Sequence, residues 1–238
     1  MQTFKENILK QIEKIEIGKI FTTDDLNFPI EKLGQVNNIL STQNRNGALD
    51  KIENGAYYKA KTSKLGLGKT SPYPTELLRY LTKKLNGYTT GLNIYNLMNF
   101  TEQVPNIITI ATPKTIQKFK FKFDYLNIEC VKAYCNKIDN DETIFYLRLL
   151  DVMKDIKNIP ARSEQNVYES LRKNYINKLN KKQIKKISEL AQEYPPRVRK
   201  ILSDILYDLG YKKLETELKN TLLPTTKFNL KYRKYESA

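Results

Sequence analysis

The run ALDKIENGAYYK, residues 48–59, sets Asn54-Gly55 between two β-prone segments, Ala48–Glu53 and Ala56–Lys59. Asn-Gly in that position is the strongest short-range hairpin signal, because a type I′ turn needs two positive φ angles and this pair accepts them at little cost. The spacing predicts a two-stranded ribbon. Upstream, Phe4, Ile8, Ile12 and Ile15 recur at helical spacing among Lys and Glu, which predicts an amphipathic helix over residues 3–16 ended by Gly18. Ile20–Thr22 is a short apolar stretch, and Thr23, Asp24 and Asp25 supply capping oxygens for a brief helix through Leu26 that stops before Pro29. A third helix runs from about Glu31 to Asn46 and closes at Gly47. At about 100° per residue, Val36, Leu40 and Gln43 share one face with Ile39 at its edge, while Asn38, Ser41 and Arg45 lie opposite.

Three short helices followed by a ribbon is the order of a winged helix-turn-helix, whose third helix enters the DNA major groove while the wing touches the backbone. The bland alternative is a small helical cap with a surface hairpin that binds nothing. In the first reading the DNA-contacting set is Gln35, Asn38, Ser41, Thr42 and Arg45 on the third helix, with Lys51, Tyr57 and Lys59 on the ribbon. Asn pairs with adenine through two hydrogen bonds, and Lys and Arg hold phosphates.

Composition points the same way. The 238 residues include 41 Lys plus Arg against 26 Asp plus Glu, for a formal net charge of +15 at pH 7. The excess is spread along the whole chain, and such a field attracts polyanions, nucleic acid first, with acidic membranes or acidic proteins behind it. Only 8 of the cations are Arg, so contact with the phosphate backbone should outweigh reading of guanine edges. There is no His. A Ser-His-Asp triad, a Cys-His nucleophile and a His-ligated metal therefore cannot be built within this chain. Cys130 and Cys135 are too few for a disulfide framework or a four-thiolate site and read as reduced, packed thiols. No apolar run approaches the ~20 residues needed to cross a bilayer, and the N-terminus has no uninterrupted apolar stretch of the secretory kind. The expected location is cytoplasmic, with no membrane partner.

Residues 63–74, rich in Lys, Gly, Ser, Thr and Pro, read as a linker. Within it, Ser63 to Thr70 nearly fits a phosphate-binding loop, but Ser63 stands where that loop needs Gly, and Pro72 and Pro74 oppose a helix beginning at Lys69-Thr70. Helices are expected from Thr75 to about Leu85 and near Gly91–Met98, then strands at Ile107–Thr112 and Phe119–Phe123, the latter alternating so that three Phe face a core and Lys120 and Lys122 face water. From Asp139 the pattern is helical. Asp139–Glu142 resembles a calcium loop only in passing, since Ile144 takes the place of the required Gly, and helix-start acids are the better account. Further helices carry Val167, Leu171 and Tyr175; Ile184, Ile187, Leu190 and Ala191, with Lys182, Lys185 and Lys186 outward; Val198 to Leu209, opening at Pro195-Pro196 and ending at Gly210; and Leu214, Leu218 and Leu222. The expected fold class is α+β: an N-terminal winged helix-turn-helix over residues 1–62, the linker, then residues 75–238 as a mixed α/β region followed by a helical C-terminal bundle.

Several stretches together resemble the AbiEi family, the antitoxin and transcriptional-regulator component of type IV toxin-antitoxin systems. They are Ile20–Leu26, Val36–Ser41 ending at Gly47, Gly55–Tyr58, Gly91 through Asn96-Leu97, Phe100–Pro105, Tyr194-Pro-Pro-Arg197-Val-Arg199 and Leu223–Phe228. The resemblance implies a DNA-binding domain that represses its own promoter at inverted repeats. It also implies that residues 75–238 form an antitoxin-like domain counteracting a nucleotidyltransferase-like toxin functionally rather than in a stable complex. Some relatives are solitary regulators. The family usually has Leu-Ser-Arg-Leu in the recognition helix, where this chain has Leu40-Ser41-Thr42-Gln43, so the arginine at the DNA face is missing and Arg45 is left to substitute in phosphate contact. Two other readings stand beside this one. The chain is then a protein-interaction module whose basic surface meets an acidic protein, or an enzyme working through Lys, Tyr or carboxylates. No paired carboxylates with a plausible role and no nucleotidyltransferase signature support the enzymatic reading, and no cofactor is expected.

Overall fold

Thr3 starts the first helix by a reciprocal cap: its hydroxyl accepts from the Glu6 N–H at 3.3 Å and the Glu6 carboxylate accepts from the Thr3 N–H at 2.9 Å. Helix α1, Phe4–Lys14, buries Ile8 and Ile12. This computed structural model describes residues 3–61, 68–114, 119–123 and 126–232, with 119–123 described as backbone only. Strand β1, Ile20–Thr22, follows. Where the sequence predicts a brief helix there is a 3₁₀ turn, Thr23–Asp25, whose Asp25 carboxylate accepts from the Thr22 N–H at 2.8 Å. A second such turn, Ile30–Lys32, leads into helix α2, Leu33–Arg45, which buries Val36 and Leu40.

The ribbon is strands β2, Asp50–Glu53, and β3, Ala56–Tyr58. Its turn is not the expected type I′. Gly55 has φ +83°, but Asn54 is not in the positive-φ region, and the pairing shifts between Lys51↔Tyr57 and Glu53↔Ala56. A bulge thus absorbs what a mirror-image turn would have supplied. Nor is the ribbon alone: β1 pairs antiparallel with β3, so the sheet order is β1-β3-β2. Ile8, Ile12, Phe21, Leu26, Val36, Leu40, Leu49 and Tyr57 form one apolar core beneath it. At ~25 cal/mol per Å² of apolar surface, burying each such side chain is worth roughly 1.5 to 3 kcal/mol before entropy is counted.

Helix α3, Pro74–Leu85, opens at Pro74, and Lys69-Thr70 therefore does not begin a helix. The Arg79 guanidinium donates from Nη2 to the Ile20 carbonyl at 3.1 Å, and the Tyr80 hydroxyl bonds to Glu53. These bonds tie α3 to β1 and β2. The chain divides into compact units Met1–Lys83 and Lys84–Ala238, one helix later than the expected linker at residues 63–74.

The second unit is α+β. Strands β4, Tyr88–Thr90, β5, Ile107–Thr112, β6, Phe119–Phe123, and β7, Leu126–Lys132, form a sheet of order β4-β5-β7-β6. Only β5 and β7 run parallel, with Ile107 opposite Asn127 and Thr112 opposite Lys132. Gly87, beside β4, lies against the β5 backbone, where an added Cβ would stand 2.4 Å from the Ala111 carbonyl oxygen. The expected inward Phe and outward Lys of residues 119–123 lie outside the described side chains. The six-residue helix α4, Leu92–Leu97, follows β4. Helices α5, Asp141–Asp155, α6, Glu164–Ser170, α7, Lys181–Ala191, α8, Pro196–Asp208, and α9, Lys212–Lys219, follow; the helix expected through Val167, Leu171 and Tyr175 passes after Ser170 into a π turn, Leu171–Tyr175, and a 3₁₀ turn, Ile176–Lys178, and α9 stops short of Leu222. Asn140 caps α5 by accepting from the Thr143 N–H at 2.8 Å, which accounts for the acid-rich stretch there as a helix start. Among the described residues no cluster of three or more Cys, Asp or Glu is placed to hold a metal. Both cysteines are free and buried, and burial, with the Glu129 charge, pushes the Cys130 thiol up to about 11. No described helix is long and apolar enough to cross a membrane.

Candidate nucleic-acid interface

Helix α2 owes its two faces to the spacing of Val36 and Leu40, both fully buried. Turning that edge inward leaves Gln35, Asn38, Thr42 and Arg45 exposed on the opposite side, with Ser41 half-buried at the flank. Thirteen residues make a rod about 20 Å long. Thr42 Oγ1 donates to the Asn38 carbonyl at 2.8 Å, which directs its hydroxyl back along the helix while its oxygen keeps acceptor capacity. Among the described residues the Gln35 and Asn38 amides have no hydrogen-bond partner and the Arg45 guanidinium has no ion pair. Gln43, expected on the inner face, is half-buried rather than sealed. The side presented to solvent therefore carries amides, hydroxyls and one guanidinium, and no carboxylate. It is a surface with donors and acceptors to offer.

The ribbon residues divide. Lys51 is exposed on β2, its Nζ 2.6 Å from Asn54 Oδ1 at the turn. Lys59 is half-buried and donates from Nζ to the Glu13 carbonyl near the end of α1 at 2.8 Å, which leaves two of its N–H bonds available. Tyr57 does not belong to the interface. It is 6% exposed and packs its ring 6.4 Å from that of Phe21 in the core. Side chains alternate along a strand, so placing Tyr57 inward turns Tyr58 to the other face, where it is half-buried.

One basic contact of this unit is not visible as such in the sequence. Lys69, inside the expected linker, reaches Asp50 Oδ1 at 2.8 Å and the Gly47 carbonyl at 3.1 Å. It clasps the end of α2 to the start of β2. The signal was available only in the Asp-Lys pairing, because nothing in local spacing joins residues 50 and 69. On the same unit, a hydrogen bond from Arg79 holds the Glu76 carboxyl below its ordinary range, against a smaller effect of burial.

Comparison with known proteins adds little. No protein-family model matches the chain, and no curated protein matches it. Among solved structures it is similar to the RV2827C protein from Mycobacterium tuberculosis, with a TM-score of 0.46 at 10% sequence identity over 92% of this chain and 81% of that one. A likeness that slight carries no argument about the arrangement or the activity.

Proposed function

We propose that the first unit is a winged helix-turn-helix that seats α2 in the major groove of double-stranded DNA, with the β2-β3 ribbon as its wing. We further propose that the chain is a transcriptional regulator of the AbiEi kind. On this reading it represses its own promoter at inverted repeats and acts as the antitoxin of a type IV abortive-infection system, opposing a nucleotidyltransferase-like toxin without a stable complex. It is not an enzyme and works in the cytoplasm.

The observation that carries the reading is the exposed, carboxylate-free face of α2, where Gln35, Asn38, Thr42 and Arg45 stand on one side of the helix. An amide there can grip adenine in two places, a preference worth about 1 to 3 kcal/mol. Arg45, Lys51 and the spare N–H bonds of Lys59 supply phosphate contacts. The 3₁₀ turns in place of a second full helix are the departure from the ordinary pattern, and they leave α2 as the main element of the contact.

The test is a titration of promoter DNA at several salt concentrations with the full chain and with Arg45→Ala/Lys51→Ala. The double variant should bind all sequences more weakly, and its salt slope should flatten by about 0.9 log units per log salt for each phosphate that is no longer neutralised. Unchanged affinity and slope would refute the assignment. Co-expression with a toxin-like nucleotidyltransferase encoded next door tests the antitoxin part separately: rescue of growth supports it, and continued arrest removes it.

A further inference from the structure

The second unit holds a cavity of about 760 Å³, within the range that encloses small ligands. Two stretches distant in sequence meet at it: Pro195-Pro196-Arg197, which opens α8, and Thr226-Lys227-Phe228, which follows α9. The wall from α5 contributes Lys154 and Asp155, and Tyr134, just beyond β7, supplies an aromatic face that is 38% exposed. Lys154 Nζ lies 5.8 Å from the centre of the Tyr134 ring, and that ring lies 4.9 Å from Tyr194 behind it.

The charge is lopsided. Lys154, Lys157, Arg197 and Lys227 line the cavity against the single carboxylate of Asp155. Asp155 is already engaged, accepting from the Tyr95 hydroxyl at 2.7 Å and lying 3.5 Å from Lys154. Lys154 is anchored from below by the buried Asp151, 3.7 Å away, which itself accepts from Tyr88, Thr90 and Tyr194. Burial works against the Lys154 ammonium, but the Asp151 and Asp155 carboxylates outweigh it and keep the group charged. Among the described residues Arg197 and Lys227 have no carboxylate partner. At the same rim α8 begins without a side-chain acceptor on its N-cap residue, Pro195, so the partial positive charge of its first turn is uncompensated.

We infer that this cavity is a binding site for a mononucleotide, with the phosphate held by Arg197, Lys227 and Lys154 and the base laid on the Tyr134 and Phe228 rings. The cations ask for an anion, the guanidinium fits phosphate oxygens in a fork, and the aromatic walls ask for a flat ring on the same molecule. A mononucleotide uses all of these groups together. All of the residues that line the cavity belong to the second unit, so this binding is independent of the DNA contact proposed for the first.

Calorimetric titration of the full chain with adenosine monophosphate, adenosine and inorganic phosphate tests it. The monophosphate should bind at least about tenfold more tightly than either fragment, since it uses both halves of the site. Arg197→Ala/Lys227→Ala, both exposed positions, should weaken monophosphate binding by about tenfold or more, while Tyr134→Ala should bring it down to the level of inorganic phosphate. Arg45→Ala/Lys51→Ala should leave it unchanged. No binding of the monophosphate, binding no tighter than that of phosphate, or binding lost in the Arg45/Lys51 variant but kept in the Arg197/Lys227 variant would overturn the inference.

Discussion

The two units of this chain bury different things. In the first, the core is apolar throughout, from Ile8 to Tyr57, and its polar groups stand on the outside of α2. In the second, polarity goes inward: every buried polar or charged side chain among the described residues, Asp151 and Asp204 included, belongs to it. Asp151 accepts from the hydroxyls of Tyr88 at 2.9 Å, Thr90 at 2.6 Å and Tyr194 at 3.1 Å, and Asp204 accepts from Tyr232 at 2.8 Å and pairs with Lys200 at 2.6 Å. A small core can afford no buried charge, because too few partners are at hand to satisfy it. A larger one can hold a carboxylate as a fixed point that sets the position of β4, α5 and the start of α8 together. The first unit is thus specified by packing and the second by packing plus a buried network.

The largest expected effect breaks that network. Asp151→Ala takes the shared acceptor from the buried Tyr88, Thr90 and Tyr194 hydroxyls and one of two carboxylates from Lys154, and should lower the stability of the second unit by about 3 to 5 kcal/mol in urea unfolding. A decrease below ~1 kcal/mol would mean that the buried contacts are incidental. Leu40→Ala probes the contrasting core. With Leu40 fully buried, the transfer and cavity costs should total about 2 to 4 kcal/mol, and thermal unfolding followed by circular dichroism would measure it. The same substitution should leave mononucleotide binding intact.

Acid offers a smaller and more discriminating contrast. Arg79 holds the folded Glu76 carboxyl below its ordinary value of 4.5, so the stability from this group is complete above pH 4.5 and fades as pH falls through the folded value. Asp151 has the opposite sign. Burial raises its folded value above 3.8, so stability from this carboxyl declines as pH climbs from 3.8 towards that raised value. Urea midpoints between pH 3 and 7 should therefore show Glu76→Gln removing part of the acid-side loss and Asp151→Asn removing part of the rise-side decline. The reverse pattern would show that these two carboxyls sit in other environments than the ones described.

How much of this was legible beforehand depended on the distance over which each feature is decided. Helix α1 could be read from Phe4, Ile8 and Ile12, and α2 from Val36 and Leu40, because helical burial is periodic within one segment. The start of α8 at Pro196 and its end before Gly210, at φ +81°, follow from local backbone chemistry. Three residues, Ile20–Thr22, are too few to announce a strand, and pairing with β3 across more than thirty positions is what makes them one. The parallel match of β5 with β7 is likewise non-local. At the candidate interface the face of α2 was readable. The inward Tyr57 was not, since the facing of β3 is set by its non-local pairing with β1, where Tyr57 stands opposite Phe21. Asp151 left one clue, a lone acid within the otherwise apolar run Leu149 to Met153 of α5, but its partners come from two other places in the chain, Tyr88 and Thr90 on β4 and Tyr194 before α8.

Everything proposed for the first unit turns on whether α2 touches DNA. Asn38→Ala/Arg45→Ala changes only exposed side chains and should leave the unfolding midpoint within about 0.5 kcal/mol of the parent. In a promoter titration at fixed salt the same variant should lose at least about tenfold in affinity for the inverted repeat. A folded variant that binds the repeat as tightly as the parent would contradict the placement of α2 in the groove.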